Sequence, residues 1–256
     1  NCLYIAMPHI EIAAEKLFFV FGFPVTNTLL TSWIVMGILI GGAFFISRHV
    51  EMVPRGLQNL FESFCEGFLN LMASIFGSRQ KAEQYFPLIA TVFLFILISN
   101  LLGIFPGVGS IGLHETVHGE QLLTPIFRSA ASDLNVTLAL ATVMVFLIHI
   151  SGMAALGVRA HMSKFFSFKG PIEFFVGILE LVSEFAKIIS FSFRLFGNIF
   201  AGEVLLIVTG FLAPFIAPLP FLMLEIFVGF VQALVFAMLS MVFISIAVTH
   251  HEAAEH

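Results

Sequence analysis

The chain has 256 residues, of which 59% are hydrophobic and 11% charged, and its mean hydropathy is +1.04. Soluble domains carry about 25% charged residues, so this composition excludes an ordinary soluble domain and predicts an all-α polytopic membrane protein. The net charge of −5 is small and scattered, which argues against nucleic acid as a partner. Cys2 and Cys65 are the only cysteines, too few for a disulfide framework or a metal cluster.

The predicted elements begin with an external arm at 1–25, which precedes a single membrane domain at 26–256. The first residue is asparagine, so we expect the start to be processed or incomplete. Charged residues interrupt the apolar pattern of the arm, which therefore shows no clear signal peptide. Apolar runs that could cross a bilayer core of about 30 Å lie at about 28–46, 86–105, 134–156, 171–209 and 221–249. The last two exceed that thickness at about 1.5 Å per residue, so they predict a long, tilted helical hairpin.

Residues at about 55–77 follow a different pattern from the spans. Apolar side chains recur there with i, i+3, i+4, i+7 spacing, and polar side chains fall off this stripe. The pattern predicts one amphipathic helix that lies at the membrane surface or against a neighbouring protein.

The distribution of basic residues predicts the orientation of the chain in the membrane. Seven of the 11 lysine and arginine residues follow the first and third spans, whereas Lys16 and Arg128 fall on the opposite side. The excess of basic residues on cytoplasmic loops then places the N-terminus outside and the C-terminus inside.

The run at 171–209 carries several ionisable residues, and a charge at the centre of a bilayer costs about 2.5–3.5 kcal/mol. These residues are Glu173, Glu180, Glu184, Lys187, Arg194 and Glu203. At about 100° per residue the first five share one face, and Glu203 lies on the opposite side from Arg194. The i, i+3 spacing of Glu184 and Lys187 fits a structural ion pair equally well. Arg194 keeps its proton and has no acid within one turn, so its counter-charge should come from another chain or from a transient partner.

A hairpin that turns near residue 214 predicts which polar residues of the last two spans face each other. Glu203 and Glu225 are equidistant from that turn, and Arg194 and Gln232 share nearly the same centre. Glu225 and Gln232 are seven residues apart and lie on one face of their helix. We therefore expect Glu203 opposite Glu225 toward the outer side, and Arg194 opposite Gln232 near the middle.

The run Arg194-Leu-Phe-Gly-Asn198, followed by Ala201-Gly202-Glu203, is the most specific motif in the sequence. Three further runs accompany it: Phe95-Ile-Leu-Ile-Ser-Asn100-Leu-Leu-Gly, Ser132-Asp133-Leu-Asn135-Val-Thr137 and Gln232-Ala-Leu-Val-Phe. Together they closely resemble subunit a of the rotary F-type ATP synthase, in its bacterial form. The resemblance extends across most of the chain and is weak at 1–25 and 106–128.

The resemblance implies the stator half of an ion channel that couples transmembrane ion flow to rotation and ATP synthesis. Arg194 would face a ring of c subunits, each with an essential carboxylate, between two offset half-channels. Glu203 and Glu225 would line the outer half-channel, and Gln232 would neighbour the arginine. The expected proton path comprises Glu203, Glu225, Gln232, Asn198, Asn100, Asp133, Glu180, Glu184, Lys187 and Glu173.

The resemblance also implies partners and a location. The partners would be the c-ring proteolipid subunits, the b subunits of the peripheral stalk, the rest of the F1Fo complex and membrane lipid. The chain lacks a Gly-x4-Gly-Lys-Ser/Thr run, so we expect it to have no catalytic activity of its own. No cofactor and no metal are expected. The location would be the bacterial plasma membrane, with the membrane of an energy-transducing organelle as the alternative.

One motif suggests a different class of protein. His114-Glu115-Thr-Val-His118 matches the His-Glu-x-x-His zinc signature, so a membrane-anchored metalloprotease is the alternative function. Gly112 and Gly119 flank the match, which predicts a loop instead of the helix that zinc binding requires. The overlapping Gly-x-Gly-x-x-Gly at 107–112 has no βαβ context, and the histidines at 250, 251 and 256 fit a solvated tail better than a metal site.

Overall fold

The computed structural model describes residues 14–20, 22–48, 56–105, 112–117, 120–162, 165, 170–213 and 216–249. Five helices in this part of the chain are long and apolar enough to cross a membrane. They are α1 (Asn27–Arg48), α3 (Arg79–Ile104), α4 (Leu134–Leu156), α6 (Pro171–Leu212) and α7 (Pro218–Thr249), and the shorter helices are α2 (Leu57–Phe76) and α5 (Val158–Met162). The predicted all-α polytopic fold is confirmed.

The last two long helices extend beyond the apolar runs that predicted them. Helix α6 has 42 residues and α7 has 32, which corresponds to about 63 Å and about 48 Å. Helix α7 begins at Pro218, a position in the first turn where the missing N–H of proline costs nothing. Helix α3 begins at Arg79, two turns before the apolar run, and continues through Pro87.

Two small antiparallel hairpins, which hydropathy did not predict, lie outside the long helices. One pairs β1 (Lys16–Val20) with β2 (Phe23–Thr26), and the other pairs β3 (Gly112–Val117) with β4 (Glu120–Pro125). Gly22 in the first turn has a φ of 86°, which a residue with a side chain rarely adopts. Within each hairpin the two strands satisfy the backbone N–H and C=O groups of each other.

Packing divides the described residues into two units, and the first has a polar interior. It comprises the described parts of Asn1–Ile38, Phe95–Thr137 and Phe193–Ala233. Its buried polar side chains include Asn27, Thr28, Ser99, Asn100, Ser132 and Asp133. Thr28 Oγ1 donates to Asp133 Oδ2 at 2.9 Å, and Asp133 Oδ1 accepts from the N–H of Asn135 at 2.9 Å. Asp133 therefore caps the start of α4 and ties it to the start of α1.

The second unit has an aromatic and aliphatic interior. It comprises the described parts of Leu39–Leu94, Leu138–Ser192 and Leu234–His256. The rings of Phe191 on α6 and Phe236 on α7 lie 4.7 Å apart between centroids. Offset or tilted aromatic contacts of this kind add about 0.5–1.5 kcal/mol beyond the area that they bury.

Helix α2 belongs to the second unit and confirms the predicted amphipathic pattern. The ring of Phe68 lies 5.2 Å from that of Phe93, and Phe76 stacks on Tyr85 at 5.5 Å. The apolar face of α2 therefore packs on α3 of the same chain. Helix α2 ends at Gly77, whose φ of 66° places it in the left-handed region.

The polar face of α2 is joined to α3 by one arginine. Arg79 donates to Glu66 at 3.0 and 3.1 Å, to Asn70 at 2.8 Å and to Glu83 at 3.1 Å. The hydrogen bonds and charge of Arg79 hold the pKa of Glu66 below its ordinary value. All of these groups are exposed, so the network fixes the orientation of α2 more than it adds stability.

Candidate ion-translocation site

Arg194 lies on α6 with an exposed side chain, between the buried residues Phe191 and Leu195. Four residues along the helix, Asn198 Nδ2 donates to Gln232 Oε1 on α7 at 2.8 Å. The predicted neighbour of Gln232 across the hairpin was Arg194. The residue that contacts Gln232 is Asn198, which lies one helical turn further along α6. Gln232 Nε2 is buried and has no hydrogen-bond partner among the described residues.

Glu225 lies against the backbone of α6 at Gly202. A Cβ atom at Gly202 would lie 2.6 Å from Glu225 Oε1 and 2.8 Å from its carboxyl carbon, so only glycine leaves room for the carboxylate. Glu225 is buried, and its Oε2 has no hydrogen-bond partner in the part of the chain that the structure describes. The contact brings Glu225 beside Glu203, as the geometry of the hairpin predicted.

Glu203 forms an ion pair that the sequence did not reveal. Arg128 Nε donates to both carboxylate oxygens of Glu203, at 2.9 and 3.2 Å, and the side chains are 8% and 30% exposed. In the sequence, Arg128 is informative only as a basic residue that helps to predict orientation. Because 75 positions separate Arg128 from Glu203, no spacing in the sequence predicts this ion pair. The one sequence signal that Arg128 has a role is its position just before the Ser132-Asp133-Leu-Asn135 run.

Asn100 and Asp133 are buried in the first unit, where both make hydrogen bonds. Asn100 Nδ2 donates to the carbonyl of Gly229 on α7 at 3.1 Å. A Cβ atom at Gly229 would lie 3.2 Å from the Cβ of Asn100, so the glycine permits this close approach. Asn100 Oδ1 has no partner among the described residues, whereas Asp133 uses both of its oxygens.

The second unit contains the expected inner-side carboxylates. Lys187 Nζ donates to Glu184 Oε1 at 2.6 Å, which is the ion pair that the i, i+3 spacing allowed. The second oxygen of Glu184 lies 3.3 Å from His149 Nε2 on α4, an ion-pair distance without the angle of a hydrogen bond. Glu173 and Glu180 are exposed on α6. Sequence analysis assigned no role to His149.

The zinc signature does not form the structure that its chemistry requires. His114 and Glu115 lie in β3, where they pair with Leu123 and Leu122 of β4. Two zinc ligands spaced i, i+4 need a helix, and this segment is extended. His118, the glycines at 107 and 109 and the histidines at 250, 251 and 256 lie outside the described residues. Among those described, no group of three or more His, Cys, Asp or Glu side chains could hold a metal ion.

Five apolar helices, of which α7 carries a buried carboxylate and α6 carries half-buried charges, define an α-helical, multi-pass membrane protein. The family model of the ATP synthase A chain matches residues 29–245, and the chain belongs to this family.

Individual relatives agree with the family match. ATP synthase subunit a of Moorella thermoacetica is 32% identical over 228 residues, which cover 89% of this chain and 93% of the relative. ATP synthase subunit a of Campylobacter jejuni (serotype O:23/36, strain 81-176) is 36% identical over 206 residues, which cover 79% of this chain and 81% of the relative. ATP synthase subunit a of Syntrophobacter fumaroxidans is 35% identical over 224 residues, which cover 86% of this chain and 83% of the relative.

Proposed function

We propose that this chain is the ion-translocating stator subunit of an F-type ATP synthase and works within the F1Fo complex without catalytic activity of its own. The observation that carries the proposal is Arg194, which is exposed on α6 and lies within the range that matches the family. A permanent charge on a spanning helix is costly, and such charges usually mark a transport path.

The chemistry follows from the fixed charge of Arg194. A ring carboxylate that arrives beside the guanidinium is favoured in its ionised form, so it releases its proton there. It takes up another proton from the opposite path before it turns into lipid as a neutral acid. The same positive charge repels protons, which prevents direct leakage from one half-channel to the other.

The polar residues of the first unit supply the proposed outer path. Glu225 and Glu203 lie next to each other on neighbouring helices, and Arg128 forms an ion pair with Glu203. Three buried polar atoms, Glu225 Oε2, Gln232 Nε2 and Asn100 Oδ1, have no partner among the described residues. Buried polar groups normally bind protein or water, so water or a ring residue would satisfy these atoms in a working channel.

The proposed inner path uses the carboxylates of α6. Glu184 is held by Lys187, and Glu173 and Glu180 are exposed farther toward the start of the helix. A unit charge that crosses the membrane gains about 2.3 kcal/mol per 100 mV, and rotation of the ring would capture this energy.

The assembly that this function needs consists of the c-ring proteolipids, the peripheral-stalk b subunits and the remaining F1Fo subunits, in lipid. The named relatives are bacterial, which favours the bacterial plasma membrane over the membrane of an organelle.

The decisive experiment is Arg194→Ala in the whole complex, reconstituted in vesicles. We expect ATP-driven ion pumping to be abolished while the complex still assembles. Arg159→Ala is the matched control, because Arg159 is an exposed arginine on the short helix α5. Normal coupled pumping by Arg194→Ala would overturn the proposal.

A further inference from the structure

Two histidines that the sequence left without a role meet in the second unit. His149 Nδ1 on α4 lies 3.1 Å from His161 Nε2 on α5. His149 Nε2 faces Glu184 on α6 at 3.3 Å, and Glu184 is in turn held by Lys187. Four ionisable side chains from three helices therefore form one continuous row.

The fold builds a specific place for this pair of histidines. His161 is only 3% exposed. A Cβ atom at Gly152 would lie 2.8 Å from its Cε1, so glycine is needed there for the ring to fit. The ring of Phe165 meets both imidazoles edge-on, at 5.7 Å from His149 and 5.8 Å from His161. These contacts hold the two rings with a nitrogen of one facing a nitrogen of the other.

His149 also lines an open groove. His149 and Glu184 line an open groove of about 200 Å³ between α4 and α6, whose other lining is apolar apart from Thr142. A water molecule occupies about 30 Å³ of liquid, so the groove can hold several waters. The groups in this groove that can exchange a proton with those waters are His149 and Glu184.

The charges of the cluster favour one added proton and oppose a second. With both imidazoles neutral, Glu184 and Lys187 cancel each other. Among the described residues of helix α7, the Phe243 ring lies 4.8 Å from Lys187 Nζ. Two facing ring nitrogens can share only one proton, and two imidazolium rings at this distance would repel each other. The carboxylate of Glu184 lies 3.3 Å from His149 Nε2, close enough for a proton to pass between them.

We propose that His149 is a proton-transfer residue of the inner path and that His161 is its positioning residue, an inference that rests on the proposed function. A proton that a ring carboxylate has released reaches Glu184 and moves on to His149 Nε2, which leaves the Glu184 carboxylate paired with Lys187. The imidazolium then passes this proton to water in the groove, so one proton enters and one leaves. His161 Nε2 accepts from the Nδ1–H of His149 throughout, which keeps Nε2 as the atom that faces Glu184 and the groove.

The test compares pH profiles of ATP-driven pumping by the whole complex in vesicles, with rates normalised to assembled complex. Histidine ordinarily changes charge between about pH 5 and 8, whereas glutamine does not titrate. Positioned proton-transfer groups contribute about 10²–10⁴-fold in rate, and water in the groove can replace part of this. We therefore expect His149→Gln to lower the pumping rate by about tenfold and to flatten its pH dependence between about pH 6 and 8.

Two further variants separate positioning from packing. We expect His161→Phe, which removes the acceptor, to behave like His149→Gln. His161→Gln keeps an acceptor oxygen and should restore much of the rate. The matched control is Ser151→Ala on α4, because the Ser151 hydroxyl already bonds the Leu147 carbonyl of its own helix at 2.8 Å. This variant should pump like the wild type.

The outcomes distinguish this inference from the proposed function. If Arg194→Ala is inactive but His149→Gln keeps the rate and pH profile of the wild type, the role of His149 is wrong and the stator function stands. If Arg194→Ala pumps normally, the stator function itself fails. Equal rates for His161→Phe and His161→Gln, at equal amounts of complex, would overturn the positioning role of His161.

Discussion

At the scale of single residues, two ionisable side chains fit into their positions because a glycine lies beside each of them. Gly202 leaves the space that the carboxylate of Glu225 fills, and Gly152 does the same for His161. Arg128 supplies a buried positive charge to Glu203, so removing it would leave a poorly compensated carboxylate. The proposed path thus depends on residues that do not transfer protons themselves.

Gly202→Ala tests this dependence directly. The added Cβ would lie 2.6 Å from Glu225 Oε1, and overpacking of this kind costs about 1–3 kcal/mol. Displacing a positioned group by about 1 Å can cost up to about 100-fold in rate, so we expect ATP-driven pumping to fall by at least about tenfold. Gly210→Ala on the same helix is the control, because a Cβ there meets nothing within 4 Å. Equal pumping by the two variants would show that the position of Glu225 does not matter.

At the scale of elements, hydrophobic periodicity and side-chain contacts decide different things. The apolar stripe of α2 predicted an amphipathic helix, and the rings of Phe68 and Phe76 show that its partner is α3. The two β-hairpins escaped prediction because their segments are short and lack sustained alternation of apolar and polar residues. Helix α6 continues three residues beyond its predicted end, to Leu212, because the first residue that cannot extend a helix is Pro214.

Phe68→Ala should weaken the packing of α2 on α3. Truncation of a buried phenylalanine costs about 3–5 kcal/mol, because it removes contacts and leaves a cavity. We expect a lower unfolding temperature for the chain in the purified complex, measured by thermal unfolding in detergent. Phe61→Ala on the same helix should change it little, because Phe61 is 37% exposed. Similar losses from both variants would indicate that another surface, not α3, buries the face of α2.

At the scale of the whole molecule, the five long helices and the distribution of basic residues together predict the membrane topology. An odd number of crossings places the two ends of the membrane domain on opposite sides. The excess of lysine and arginine after the first and third spans selects which side is inside. The division into an external arm at 1–25 and one membrane domain stays a prediction.

Labelling of single cysteines with a membrane-impermeant maleimide in intact cells tests this topology. In a chain with Cys2 and Cys65 replaced by serine, Lys16→Cys should react from outside. Arg159→Cys should react only after the membrane is opened. Both positions are exposed, so accessibility to the reagent depends on the side of the membrane. Labelling of Arg159→Cys in intact cells would contradict the predicted orientation.

The sequence by itself determined the class of fold, the long helices and the central arginine. These depend on local properties: apolar length sets a span, periodicity sets a face, and a charge in an apolar run is visible without any partner. The hairpin geometry also brought Glu203 near Glu225, because two helices joined by a short turn leave few possible matches.

Only the tertiary structure decided which charges meet. Arg128 and Glu203 are 75 positions apart in the sequence. His149, His161 and Glu184 lie on three different helices and come together only in the folded chain. No period or spacing in a sequence encodes such contacts, since they depend on how separate helices are rotated and packed. The sequence therefore identified a costly charge on a spanning helix, and packing decided which groups surround the proposed path.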